Sequence, residues 1–182
     1  MTLRQTVRIS LFASLSAALG FLLAPVPNVE LLTFSLFVSG YALGLRSGAV
    51  AGLLAVALYY GLNPYGSSLV FPLLFACQAL AALWITTLGA FFARLVSPLG
   101  SGLMRRVLLV PFAILSALAL PLSPVFAFSG FAGEGQKAWL FLGALMTSWG
   151  LAFNLLVFLS SFEPMARTLA RIEARRRREV PA

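Results

Sequence analysis

The chain has 182 residues and a formal net charge of +8; 60% of its residues are hydrophobic, only 10% are charged, and its mean hydropathy is +0.97. Soluble domains carry roughly 25% charged residues, so a water-soluble globular protein is excluded and an integral membrane protein is indicated. A helical crossing uses about 20 apolar residues, which limits the chain to about seven crossings and leaves no room for a separate soluble domain.

Taken in chain order, the sequence predicts six spans. The first, about 8–25, has a basic start, an apolar middle and small residues before Pro25 and Pro27. It imitates a secretory signal, but the two prolines sit poorly at a processing site and its removal would leave five spans, so it is read as retained. The second and third, about 29–45 and 47–62, are separated by a tight turn at Arg46 to Gly48. The motif "NPYGSS" at 63–68 precedes the fourth, about 68–94, and "SPLGSG" at 97–102 precedes the fifth, about 104–122. Pro111 predicts a kinked or steeply tilted fifth span. A long connection at 121–137 leads to the sixth, about 138–162, and the tail "ARTLARIEARRRREV" (166–180) continues that helix beyond the membrane. The expected fold is an all-α membrane protein, a single bundle of six transmembrane helices over 1–165 with a basic tail at 166–182. The tail reads as an anchor near anionic lipid or as a docking site for a partner.

Charge tests this layout, because basic residues accumulate in short cytoplasmic loops. Six spans with cytoplasmic N- and C-termini place Arg4, Arg8, Arg46, Arg94, Arg105, Arg106, Arg167, Arg171 and 175–178 inside and only Lys137 outside, twelve of the thirteen Lys and Arg residues on one side. One span more or fewer would scatter them. The basic balance is therefore an orientation signal, and nucleic acid is not an expected partner.

Catalytic chemistry has little to work with. The chain has no histidine and no aspartate, and its five glutamates, Glu30, Glu134, Glu163, Glu173 and Glu179, fall at or beyond predicted span ends. Metalloprotease ligands and the acid clusters that hold magnesium are missing, and no phosphate-cradling glycine loop occurs. No enzyme, cofactor or metal site is expected. Cys77, alone in an apolar segment, reads as a small packing residue.

Some polar residues do lie in or against the membrane. Asn28 and Glu30 stand at the outer end between spans one and two, Asn63 and Tyr65 at the outer end of span three, and Trp139 just before span six. Within the bundle, Gln78 is expected about 15 Å and Asn154 about 23 Å below the outer surface, with Trp149 above Asn154. Amides buried in lipid either pair across helices or bind something; the sequence leaves both open. Small residues form close-approach faces. Ala13 and Ala17, extended by Gly20 and Ala24, stripe the first span, and Gly40, Gly44, Gly48 and Gly52 recur every fourth position around the turn at Arg46.

These features together resemble the S components of energy-coupling factor (ECF) transporters, small six-helix proteins that capture vitamins and related micronutrients in the prokaryotic cytoplasmic membrane. The likeness covers about residues 5–163. It rests on the "ASLSA" alanine pair, the "PNVELLTF" opening of the second helix, the glycine-spaced "GYALGLRSGAVAG" and "NPYG" after the third. The resemblance implies that Ala13 and Ala17 contact a membrane scaffold subunit, which carries two cytoplasmic ATPases. It also implies that Asn28, Glu30, Asn63, Tyr65, Gln78, Trp139, Trp149 and Asn154 contact the substrate near the outer face. With Lys137 the lone external cation, a neutral, zwitterionic or cationic micronutrient is expected. A transporter working alone, or an envelope assembly protein whose amides only join helices, are the other readings.

Overall fold

The computed structural model describes residues 1–23, 31–63, 67–96, 102–128, 133, 135–138 and 150–179. The regular elements among them are helical: α1 (Leu3–Leu23), α2 (Leu31–Gly61), a 3-10 turn (Ser68–Val70), α3 (Pro72–Val96), α4 (Gly102–Phe128) and α5 (Gly150–Glu179). Helices α1 to α4 are each long and apolar enough to cross a membrane. Their outward faces carry Leu11, Leu15, Leu22, Leu80, Trp84, Phe91, Leu115 and Phe126, all exposed. In water that surface would exceed the apolar patches of a few hundred Å² that monomers carry. In lipid it is the natural exterior, because helices satisfy their own backbone groups. The chain is a multi-pass membrane protein.

Helix α2 consists of two arms. Gly44 has φ 77° and ψ 178°, a backbone region that is essentially reserved for glycine. A Cβ at Gly48 would stand 2.7 Å from the Gly40 Cα, and one at Gly52 3.6 Å from a Leu36 methyl. Residues eight apart in a continuous helix are about 12 Å apart, so arms 31–43 and 45–61 lie antiparallel with Gly44 at the tip. The turn expected at Arg46 to Gly48 falls instead at Gly44, the residue whose missing side chain permits the reversal.

Two further boundaries differ from expectation. Helix α3 starts at Pro72 rather than near 68, because Ser67 caps the short 3-10 turn, its Oγ accepting from the Leu69 N–H at 3.2 Å. Helix α4 runs to Phe128, past the limit of 122 that Pro121 and Pro124 suggested. A proline at 124 removes the N–H that would bond the Leu120 carbonyl. The Ser123 hydroxyl donates to that carbonyl at 2.7 Å instead, so the helix continues. At the far end of the chain, α5 passes into the basic tail without a break at 165.

Contacts sort the helix ends into two sets. Gln5 Nε2 donates to Ser47 Oγ at 2.8 Å, and Arg8, Leu43, Val96, Arg105 and Ala170 border one cavity. The start of α1, the hairpin tip, the end of α3, the start of α4 and the later half of α5 thus share an end. At the opposite end, Phe21 packs on Tyr59 with ring centroids 5.2 Å apart and Phe71 on Phe128 at 6.0 Å. Arg4, Arg8, Arg46, Arg94, Arg105, Arg106, Arg167 and Arg171 all lie on the segments of the first set, which makes it the basic end.

The core is aromatic toward the basic end. Phe37 meets Phe158 at 5.2 Å, Phe92 meets Phe112 at 5.2 Å and Phe162 at 5.3 Å, all edge to face, the geometry favoured by ring quadrupoles. Phe37, Phe92, Phe158 and Phe162 are fully buried. Beside this layer the first arm of α2 crosses α3 backbone against backbone: a Cβ at Gly40 would overlap the Thr86 carbonyl, and one at Gly89 the Phe37 carbonyl. Such contacts hold helices together where no hydrophobic effect drives them. Gly89→Leu should therefore cost about 3 kcal/mol or more, and Gly44→Ala about 1–3 kcal/mol, in thermal unfolding of the detergent-solubilised protein. Gly102→Ala, at a position with open space, should leave the melting temperature unchanged.

Candidate functional site

Helical spacing decides which polar side chains turn inward. On α3 the buried face runs through Gln78, Ala82, Ile85, Thr86, Gly89 and Phe92; on α5 it runs through Asn154, Phe158 and Phe162, four residues apart. On α4 it includes Leu109, Ala113, Ser116, Leu120 and Ser123. Gln78, Asn154 and Ser116 are consequently carried into the bundle at 6%, 5% and 0% exposure.

Their hydrogen bonding sets them apart. Ser35, Ser39, Thr86 and Ser123 are buried too, and each returns its hydroxyl to a carbonyl of its own helix. Among the described residues, Gln78 Oε1, Asn154 Oδ1 and Ser116 Oγ are buried with no hydrogen-bond partner. An unmade hydrogen bond on a buried group costs about 1–3 kcal/mol, more in a medium without water. The two amide oxygens can accept a hydrogen bond from a ligand that carries N–H or O–H groups, and the hydroxyl can accept or donate one.

Their heights follow from the aromatic layer. Phe92, Phe112 and Phe162 lie side by side. At 1.5 Å per residue, Ser116 stands about 6 Å, Asn154 about 12 Å and Gln78 about 21 Å above that layer, toward the end away from the arginines. Gln78 is only about 9 Å into α3, shallower than the sequence suggested, because the helix starts at Pro72. The oxygens therefore form a ladder in the half of the bundle opposite the basic end, above a floor of packed rings.

The other expected site residues divide as follows. Asn63 lies half-buried just past the second arm of α2, at the same end as Phe21, Tyr59 and the start of α3. Asn28, Glu30, Tyr65, Trp139 and Trp149 lie outside the described residues. Ala13 and Ala17 are 2% and 5% exposed; with Ile9, Ser16 and Gly20 they form the buried face of α1, which packs on α2 through Gln5 to Ser47 and Gly20 to Tyr59. Small residues at these positions let α1 and this chain's own α2 approach closely.

Two residues escaped the sequence reading. Ser116 looks like any serine in an apolar run, and only its orphaned hydroxyl separates it from Ser123. Glu163, expected at a span end, is 7% exposed; its Oε1 accepts from Arg167 Nε at 3.3 Å while Oε2 has no partner. It adjoins Phe162 at the floor, and its charge gave no sign of that burial. Among the described residues no three of His, Cys, Asp or Glu gather as a metal site.

Comparison with protein-family models, with curated proteins and with solved structures finds no match to this chain.

The orphaned carbonyls make a stability prediction opposite to that for helix-joining amides. Asn154→Leu and Gln78→Met preserve shape while removing an unsatisfied acceptor, so each should be neutral or raise stability by about 1 kcal/mol. A loss of 2 kcal/mol or more in thermal unfolding would show that the amides bridge helices.

Proposed function

We propose that the chain is the substrate-capturing subunit, the S component, of an ECF-type importer in a prokaryotic cytoplasmic membrane, and that it takes a vitamin-like micronutrient from outside the cell. Energy in this reading comes from a scaffold subunit and two ATPases. The observation that carries the reading is the ladder of unpartnered oxygens at Gln78, Asn154 and Ser116. A protein that had no ligand for them would gain by making them apolar.

The chemistry of the ladder narrows the ligand. The two amide oxygens accept and the Ser116 hydroxyl can accept or donate, which favours a donor-bearing neutral or cationic molecule, and reaching both Gln78 and Asn154 requires a length of at least about 9 Å. Asn28, Glu30, Asn63, Tyr65, Trp139 and Trp149 would line the mouth, their rings stacking on a flat solute and Glu30 favouring a positive one. The packed rings of Phe37, Phe92, Phe158 and Phe162 below the ladder support a site open to one side of the membrane only. In this reading α1, the two arms of α2, α3, α4 and a last span ending in α5 make six crossings, with the basic end in the cytoplasm. A scaffold subunit would meet the outward face of α1 at Leu11, Ser14, Leu15 and Ala18, which are exposed, rather than the buried alanines.

The burial of Ala13 and Ala17 within this chain supports a second reading, a solitary small-solute transporter. Uptake by cells that lack any scaffold and ATPase subunits would support it; uptake that appears only on their co-expression supports the importer.

Native mass spectrometry of the purified protein should show a co-purified small molecule, lost in Asn154→Leu and in Gln78→Met while the fold is kept. A protein that is empty as purified, and whose melting temperature stays fixed across a panel of vitamins, would sink the capture reading. For orientation, Arg46→Cys at the hairpin tip should react with an impermeant maleimide only after the cells are opened, with Cys77 replaced by alanine beforehand.

A further inference from the structure

The basic end contains a feature that solute capture does not use. A cavity of about 320 Å³ opens between the start of α1, the hairpin tip, the end of α3, the start of α4 and the later half of α5. Arg8 and Arg105 border it together with apolar Phe12, Leu43, Leu169 and Ile172, and among the described residues no carboxylate lines it. Arg105 is half-buried, and its Nε is shut off from solvent with no hydrogen-bond partner among the described residues. The buried carboxylate of α5, Glu163, is engaged by Arg167 instead. An adjoining recess of about 270 Å³ shares Arg8 and adds Arg4 and Gln5.

Guanidinium groups in a concave, partly dehydrated setting need a counter-charge, since charge withdrawn from water is costly unless paired. Their planar forks match the oxygens of a phosphate, which accepts two parallel N–H bonds from one arginine. The apolar lining suits the glycerol and acyl root of a lipid. The site's height suits one as well, because the clustered arginines mark the level at which hydrocarbon gives way to headgroups.

We propose that this cavity binds a phosphate group, supplied by the headgroup of an anionic phospholipid, with Arg8 and Arg105 as its ligands. Bound there, the lipid ties α1, the hairpin tip, α4 and α5 together at the basic end. The proposal needs neither a captured solute nor a partner subunit, so it stands or falls apart from the importer reading.

The test is native mass spectrometry of the full-length protein titrated with phosphatidylglycerol, with phosphatidylcholine and with inorganic phosphate. Phosphatidylglycerol should bind at least about tenfold more tightly than phosphatidylcholine, the scale of one charge-assisted hydrogen bond. Arg8→Gln and Arg105→Gln should each remove about that factor, while Arg106→Gln, which deletes an exposed arginine outside the cavity at the same end, should leave it intact. Arg105→Lys, which keeps the charge, should recover part of the loss; if Arg105→Gln fails to fold, Arg8→Gln carries the comparison. Equal binding of the two lipids, or an Arg106→Gln loss as large as that of Arg8→Gln, would overturn the site. Binding of inorganic phosphate that displaces phosphatidylglycerol at equal concentration would overturn the lipid as its source.

Discussion

In hydrocarbon a carbonyl oxygen without a partner has no water to turn to, and the architecture of this protein follows from how each polar atom meets that condition. The backbone meets it by staying helical, even across prolines: where Pro124 leaves the Leu120 carbonyl free, the Ser123 hydroxyl takes it, and α4 runs on to Phe128. Buried hydroxyls at Ser35, Ser39 and Thr86 do the same within their own helices. Against that background, among the described residues, the bare oxygens of Gln78, Ser116 and Asn154 lie in one half of the molecule, and Glu163 Oε2 at the floor is a further exception.

The two halves of the bundle differ in what their inward faces carry. Toward the basic end, rings pack edge to face and glycines at 40 and 89 bring α2 and α3 into backbone contact, which makes that half dense. Toward the opposite end, the inward-facing positions of the same helices carry amides and a hydroxyl. Beyond the floor, at the helix termini, the arginines define a separate electrostatic environment, with its own cavity between α1, α4 and α5.

Much of this was legible in the chain. Apolar content and length imply a multi-pass helical protein, the one-sided arginines imply which helix ends lie together, and the turn chemistry locates most breaks. The sequence also singled out Gln78 and Asn154, because amides in apolar runs are rare enough to notice. It could not single out Ser116 or Glu163. A serine is common in such helices, and a glutamate beside an arginine four residues on reads as a solvated surface pair, as Glu163 and Arg167 do until burial is known. The alanine stripe was legible as a close-approach face but not as to whose helix it approaches.

What the sequence determined by itself was periodicity and composition: lengths of apolar runs, the side on which charge collects, and small residues at four-residue spacing. These are local properties, fixed by the rise and turn of a helix. What only the tertiary structure decided was pairing: that the chain reverses at Gly44, that Ala13 and Ala17 pack within this chain, and that the oxygens of Gln78, Asn154 and Ser116 find no hydrogen-bond partner among the described residues. Whether a buried atom is satisfied depends on residues far away along the chain, and no local pattern encodes that distance.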